Sequence, residues 1–141
     1  MSRVLEGFVT SSLYETPPMY REDQPKFLNC VFGGNATGRR VAAGPYKLLE
    51  LIREIERETG RDREKSGPMG PRPIDIDILL YGERVVHADE LVIPHPRMKE
   101  RPFVLIPLVE LAPDLRDPVT GELYANLARG LGREGIYHYT G

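Results

Sequence analysis

Apolar residues recur along this chain with two spacings, and each spacing predicts an element. From Pro45, a residue suited to a first helical turn, Leu48, Leu49, Ile52 and Ile55 fall three and four apart and predict an amphipathic helix over 45–58, stopped at Gly60. Its other side carries Arg53 and Arg57 among Glu50, Glu54 and Glu58, a solvated, ion-paired face or a basic one. Elsewhere, β-branched and apolar residues cluster in short runs or alternate, which predicts strands over 4–14, 27–32 and 74–81. Pro17 and Pro18 end the first strand, and 19–26 reads as a polar loop. In the second, Phe27, Asn29 and Val31 share a face, and the glycines from Gly33 to Gly38 close it as a flexible turn. That turn has the glycine spacing of a phosphate loop, but Arg39 and Arg40 stand where the motif needs Lys and Ser or Thr.

Residues 61–71 are charged and without period, which predicts a mobile loop and a candidate lid. Beyond 81, a turn at Gly82 and Glu83 leads to Val85 and Val86, and a short strand over 91–93 precedes a helical turn over 97–101. The apolar run 103–111 contains Pro107 and predicts a short or broken helix. A small amphipathic helix over 125–131 and a terminal strand or tail over 136–139 complete the chain, with no internal repeat.

Composition narrows the class. A chain of 141 residues, 40% hydrophobic and 28% charged, fits one soluble globular domain over 1–141. The net charge of −2 argues against a general nucleic-acid binder. Cys30 is the single cysteine and has no internal disulfide partner, so a reducing cytoplasm is expected, with Cys30 a small buried hydrophobe. No apolar run is long enough to span a membrane, and no signal-peptide core opens the chain. With 14 glycines and 13 prolines, long shaped loops are expected.

The chemistry concentrates in Gly70-Pro71-Arg72-Pro73-Ile74-Asp75-Ile76-Asp77. On a strand, Asp75 and Asp77 project from one side and the isoleucines from the other, with about 6–7 Å between the two aspartate backbones. Such a pair suits a hard cation like Mg²⁺, and Arg72 adds a fork for phosphate oxygens. The plainer reading of Asp-x-Asp is the wet face of a half-buried sheet. Likewise His95 alone reads as a structural loop histidine, and Phe103 alone as core.

Taken together, Ser12-Leu13-Tyr14-Glu15-Thr16-Pro17-Pro18, Asp23-Gln24-Pro25-Lys26-Phe27-Leu28-Asn29, the Gly70–Asp77 motif and Pro94-His95-Pro96-Arg97-Met98-Lys99-Glu100-Arg101 resemble one family. It is 6-hydroxymethyl-7,8-dihydropterin pyrophosphokinase of folate biosynthesis. The resemblance covers nearly the whole chain, with four motifs in order. It implies an α+β, ferredoxin-like sandwich with a mainly antiparallel sheet, and transfer of pyrophosphate from ATP, the co-substrate, to the pterin's hydroxymethyl oxygen. It implies that Asp75 and Asp77 hold two Mg²⁺ ions, with Arg63 and Arg72 also catalytic. Thr16, Pro17, Pro18, Met19, Phe27, Asn29 and Phe103 would form the pterin slot. Glu56, Arg61, Arg63, Arg72, His95 and Arg101 would meet ATP.

The sequence also departs from the family. It opens at what matches the second strand, so the first βα unit is missing, and a longer native protein is the expectation. Pro68 and Met69 stand where the family often has Arg-Trp, and Glu90 and Pro96 where some members have Arg and Tyr. A non-catalytic remnant that binds pterin or nucleotide is the alternative function. A monomer is expected unless another chain supplies the missing strand, with small molecules as partners and neither nucleic acid nor membrane.

Overall fold

The computed structural model describes residues 6–16, 27–35, 44–59, 75–133 and 135–138. The candidate lid, and with it Arg61, Arg63 and Arg72, lies outside the described residues, as do Pro17, Pro18 and Met19.

The two N-terminal strands form an antiparallel ribbon, each broken into two pieces. Strand β1 (Glu6–Thr10) pairs with β4 (Phe32–Asn35), and β2 (Tyr14–Thr16) pairs with β3 (Phe27–Asn29). Between the pairs Thr10↔Phe32 and Tyr14↔Asn29, three residues of the first strand face two of the second, which is the count of a β-bulge. Ser11 fills the break: its amide donates to the Val31 carbonyl at 2.8 Å, and its Oγ accepts the Val31 amide at 2.9 Å. The single strands expected over 4–14 and 27–32 are therefore corrected to two pieces each. Gly33 and Gly34 belong to β4 rather than to a turn, because β1 pairs across them. Cys30 sits in the break and is exposed, not buried.

Helix α1 (Pro45–Glu58) follows the expected bounds. Gly44 caps it at φ +121°, a conformation glycine tolerates, and Pro45 takes the first turn. Its apolar stripe, Leu48, Leu51 and Ile52, packs against Ile76, Ile78 and Tyr81.

Residues 75–81 keep the alternation of a strand at first: Asp75 and Asp77 are exposed, Ile76 and Ile78 half-buried on α1. No ladder joins them to another described strand, so the expected strand has the burial pattern without the pairing. Leu79 turns to the second core instead, and its carbonyl accepts the His95 amide at 2.9 Å. A hairpin of β5 (Val86–His87) and β6 (Val92–Ile93) intervenes.

The second core gathers Met98, from the helical turn Met98–Glu100, Leu105 and Leu108 of α2 (Pro102–Leu111), and Tyr124 and Ala128 of α3 (Tyr124–Leu131). Helix α2 runs unbroken through Pro107, which is itself buried. A proline costs one backbone bond, and here packing of Leu105 and Leu108 offsets it. The C-terminal residues form β7 (Tyr137–His138) on the free edge of β2, giving the order β3-β2-β7. Every ladder among the described residues is antiparallel, and the fold is α+β.

Candidate active site

Two exposed carboxylates lie at the centre. Asp75 and Asp77 share one side of their segment because Ile76 and Ile78 are drawn to the opposite side by α1. Between them the Ile76 amide donates to Oε2 of Glu56 at 3.0 Å. Glu56 is 6% exposed, so its carboxylate turns inward onto this backbone. Among the described residues no three His, Cys, Asp or Glu side chains gather into a closed metal cage. An open pair of carboxylates nevertheless fits Mg²⁺, which keeps waters and shares phosphate oxygens with one or two carboxylates.

His95 sits beside this pair. Burial lowers its pKa below the usual 6.5, opposed by the Asp77 charge and assisted by Arg101 and Arg97. Its Nδ1 accepts the Arg97 amide at 3.3 Å, which leaves the proton of the neutral ring on Nε2. Arg101 lies over the Phe103 ring, with Cζ 5.6 Å from its centroid, a cation–π distance. One short run thus supplies a neutral imidazole, two guanidinium groups and an aromatic face.

Asn29 is half-buried on β3, directly across from Tyr14. Phe27 and Thr16 are ladder partners at the far end of the same strand pair. Val31, two beyond Asn29, packs on the core of α2 and α3. Helix α2, which carries Phe103, therefore lies on the side of the sheet that Asn29 faces.

Two carboxylates not singled out in the sequence hold this layout. Glu110 of α2 accepts the Tyr14 hydroxyl through Oε1, and the Ser12 amide (2.6 Å) and hydroxyl (3.1 Å) through Oε2. Burial, then the hydrogen bond and charge of Glu110, push the Tyr14 phenol up to about 12 against the pull of Arg133. The Glu110 carboxyl is correspondingly lowered, first by Tyr14, then against burial by Ser12 and the charge of His138. Asp117 is buried, which pulls its carboxyl up. The Thr120 and Val119 amides, Lys99 and the Tyr124 hydroxyl outweigh that and hold it down to about 2. No local sequence signal marks Glu110, whose partners come from another element, whereas Asp117-Pro118 is a turn-initiating pair and the Val119 and Thr120 amides are local.

A family model described as 7,8-dihydro-6-hydroxymethylpterin-pyrophosphokinase (HPPK) matches residues 2–113. The chain belongs to this family. A 2-amino-4-hydroxy-6-hydroxymethyldihydropteridine pyrophosphokinase of Bacillus subtilis is 44% identical over 110 residues, which is 78% of this chain and 62% of that protein. A protein of the same description from Pseudomonas aeruginosa is 44% identical over 108 residues, 77% of this chain and 62% of its own length. An Arabidopsis thaliana folate synthesis bifunctional protein is 48% identical over 101 residues, 72% of this chain and 20% of that protein. The chain thus spans about a fifth of the plant relative and under two thirds of the bacterial ones. The matched region takes in both aspartates, Asn29, Glu56, His95, Arg101, Phe103 and Glu110, but not Asp117.

Proposed function

We propose that this chain transfers pyrophosphate from ATP to the hydroxymethyl oxygen of 6-hydroxymethyl-7,8-dihydropterin, giving AMP and the pterin diphosphate. Family membership supports this, and the observation that carries it is the arrangement around Asp77. Two solvent-facing carboxylates lie on one side of a segment pinned by Glu56, with His95 and the arginines 97 and 101 alongside. Transfer of this kind demands positioning and charge neutralisation more than covalent work by the protein.

In this reading Asp75 and Asp77 hold Mg²⁺, two ions, whose chemistry is to offset the charge of the triphosphate. His95 donates from Nε2 to a phosphate oxygen, with Nδ1 engaged by the Arg97 amide. Arg101 pairs with phosphate while its plane rests on Phe103. A pterin is flat with a polar edge, so Phe27 and Phe103 supply faces and Asn29 the edge contact. Thr16, Pro17, Pro18 and Met19 complete that slot, Arg61, Arg63 and Arg72 meet ATP or its phosphates, and Glu56 lies near the nucleotide. The finer architecture is a ferredoxin-like sandwich. The protein acts as a cytoplasmic monomer on small molecules. No described helix is long and apolar enough to cross a membrane.

The test mixes the 141-residue chain with ATP, Mg²⁺ and the dihydropterin and measures AMP. AMP formed one-for-one with pterin diphosphate, and abolished in Asp77→Asn, is the expected result. No AMP above a protein-free control overturns it.

A further inference from the structure

We propose that Glu110 is a positioning residue for the pterin slot: it fixes α2, which bears Phe103, to β2, whose Tyr14 is the cross-strand partner of Asn29. The proposal rests on the pyrophosphokinase reading, in which Phe103 and Asn29 contact the pterin. Its own basis is the geometry of one carboxylate that joins the two walls.

Glu110 spends both oxygens on the ribbon. Oε1 takes the hydroxyl of Tyr14, a side chain only 2% exposed, and Oε2 takes two donors of Ser12. Ser12 belongs to the bulge, where the sheet has no regular ladder to give its amide. The carboxylate therefore satisfies a backbone donor and a buried phenol at once, and both are charge-assisted bonds. His138 packs against the phenol ring as well, tilted by 51° with 4.8 Å between ring centroids.

The leverage follows from helix geometry. Phe103 and Glu110 are seven residues apart on α2, two turns along one stripe, or about 10 Å. Tyr14 and Asn29 are direct partners on adjacent strands, and such side chains emerge side by side on one face. Releasing Glu110 frees the far end of α2 to pivot, and the separation between the Phe103 ring and the Asn29 amide changes. Of the groups that would meet ATP, the 75–77 segment is tied to α1 through Glu56, not to Glu110, whereas Arg101 at the head of α2 moves with Phe103. A slot only one ring thick is sensitive to such a shift, since a misplacement of about 1 Å can cost about 100-fold in rate.

The experiment compares Glu110→Ala, Glu110→Gln and Tyr14→Phe in the full chain. It measures pterin binding by fluorescence titration, nucleotide binding, KM for each substrate, thermal midpoint and the NMR signal of the Asn29 side-chain amide. Glu110→Ala weakens pterin binding about tenfold and shifts the Asn29 signal, while nucleotide binding, carried also by Asp75 and Asp77, weakens by less than about threefold. Glu110→Gln restores pterin binding to within about threefold, since its amide oxygen serves Ser12 and its NH₂ can donate to Tyr14. Equal weakening of both substrates, or a fall in melting point with pterin affinity unchanged, overturns the proposal. If the parent chain makes no AMP, the catalytic reading fails alone, and the pterin titration still decides the role of Glu110. Absence of any pterin binding by the parent chain defeats both.

Discussion

Glu56 accepts the backbone amide of Ile76 at 3.0 Å, so a buried side chain of α1 grips the peptide between the two exposed aspartates. Their spacing is thereby set from beneath, by a residue that faces away from solvent. Glu56→Ala leaves a half-buried amide without its acceptor and is expected to cost about 1 kcal/mol of stability. It also raises the Mg²⁺ concentration for half-maximal AMP release, while Glu56→Gln, which keeps an acceptor, recovers most of both. Urea unfolding and a Mg²⁺ titration of the two variants check this.

Asp75 and Asp77 make the opposite case, exposed groups whose proposed value is chemical. Replacing either with Asn is expected to lower AMP formation by about 100-fold or more, the scale of a lost charge-stabilising contact. Stability should move by no more than about 0.5 kcal/mol, as for other surface changes. A large loss of melting temperature alongside lost activity would assign them a structural role.

Acid sensitivity is expected to come from Asp117. Its carboxyl is held down to about 2 from an ordinary 3.8, so the folded state favours the charged form. The resulting stabilisation is complete above about pH 4 and is lost as pH falls through about 2. Asp117→Asn should flatten this acid limb and cost about 2 kcal/mol at neutral pH, by removing the charge that meets Lys99 at 3.2 Å and the Tyr124 hydroxyl at 3.0 Å. Unfolding curves recorded between pH 2 and 7 provide the measurement.

Leu105 is fully buried where α2, α3 and the Met98 turn meet. Leu105→Ala is expected to cost about 3 kcal/mol through lost burial and the cavity left behind. The urea midpoint should fall with an unchanged slope, since the surface exposed on unfolding is nearly the same.

Local pattern was enough for α1, because a 3.6-residue repeat and a leading proline are properties of the segment itself. It was enough, too, for which side of 75–78 carries acid and which carries isoleucine. It was not enough for pairing: an alternating segment becomes a ladder strand only when a neighbour arrives, and 75–81 has none among the described residues. The break at Ser11 was hidden for the same reason, since a bulge is a relation between two strands and not a composition. Cys30 followed the break to the surface. Glu110 drew no notice within its apolar run, because its partners, Ser12 and Tyr14, lie almost a hundred residues earlier. Phe103 and Asn29 drew notice as a pair only through resemblance to a family, which proposes their roles by position rather than by pattern.

The additional residue inserted opposite Cys30 and Val31 acts as a change of phase. Just upstream of it, at Val9 and Thr10, odd and even positions point one way; downstream the assignment is inverted, which is how Tyr14 comes to look toward Glu110. Length is therefore more tightly constrained there than identity. Many side chains could occupy position 13, but deleting the position would turn Tyr14 away from α2 and carry its hydroxyl out of reach.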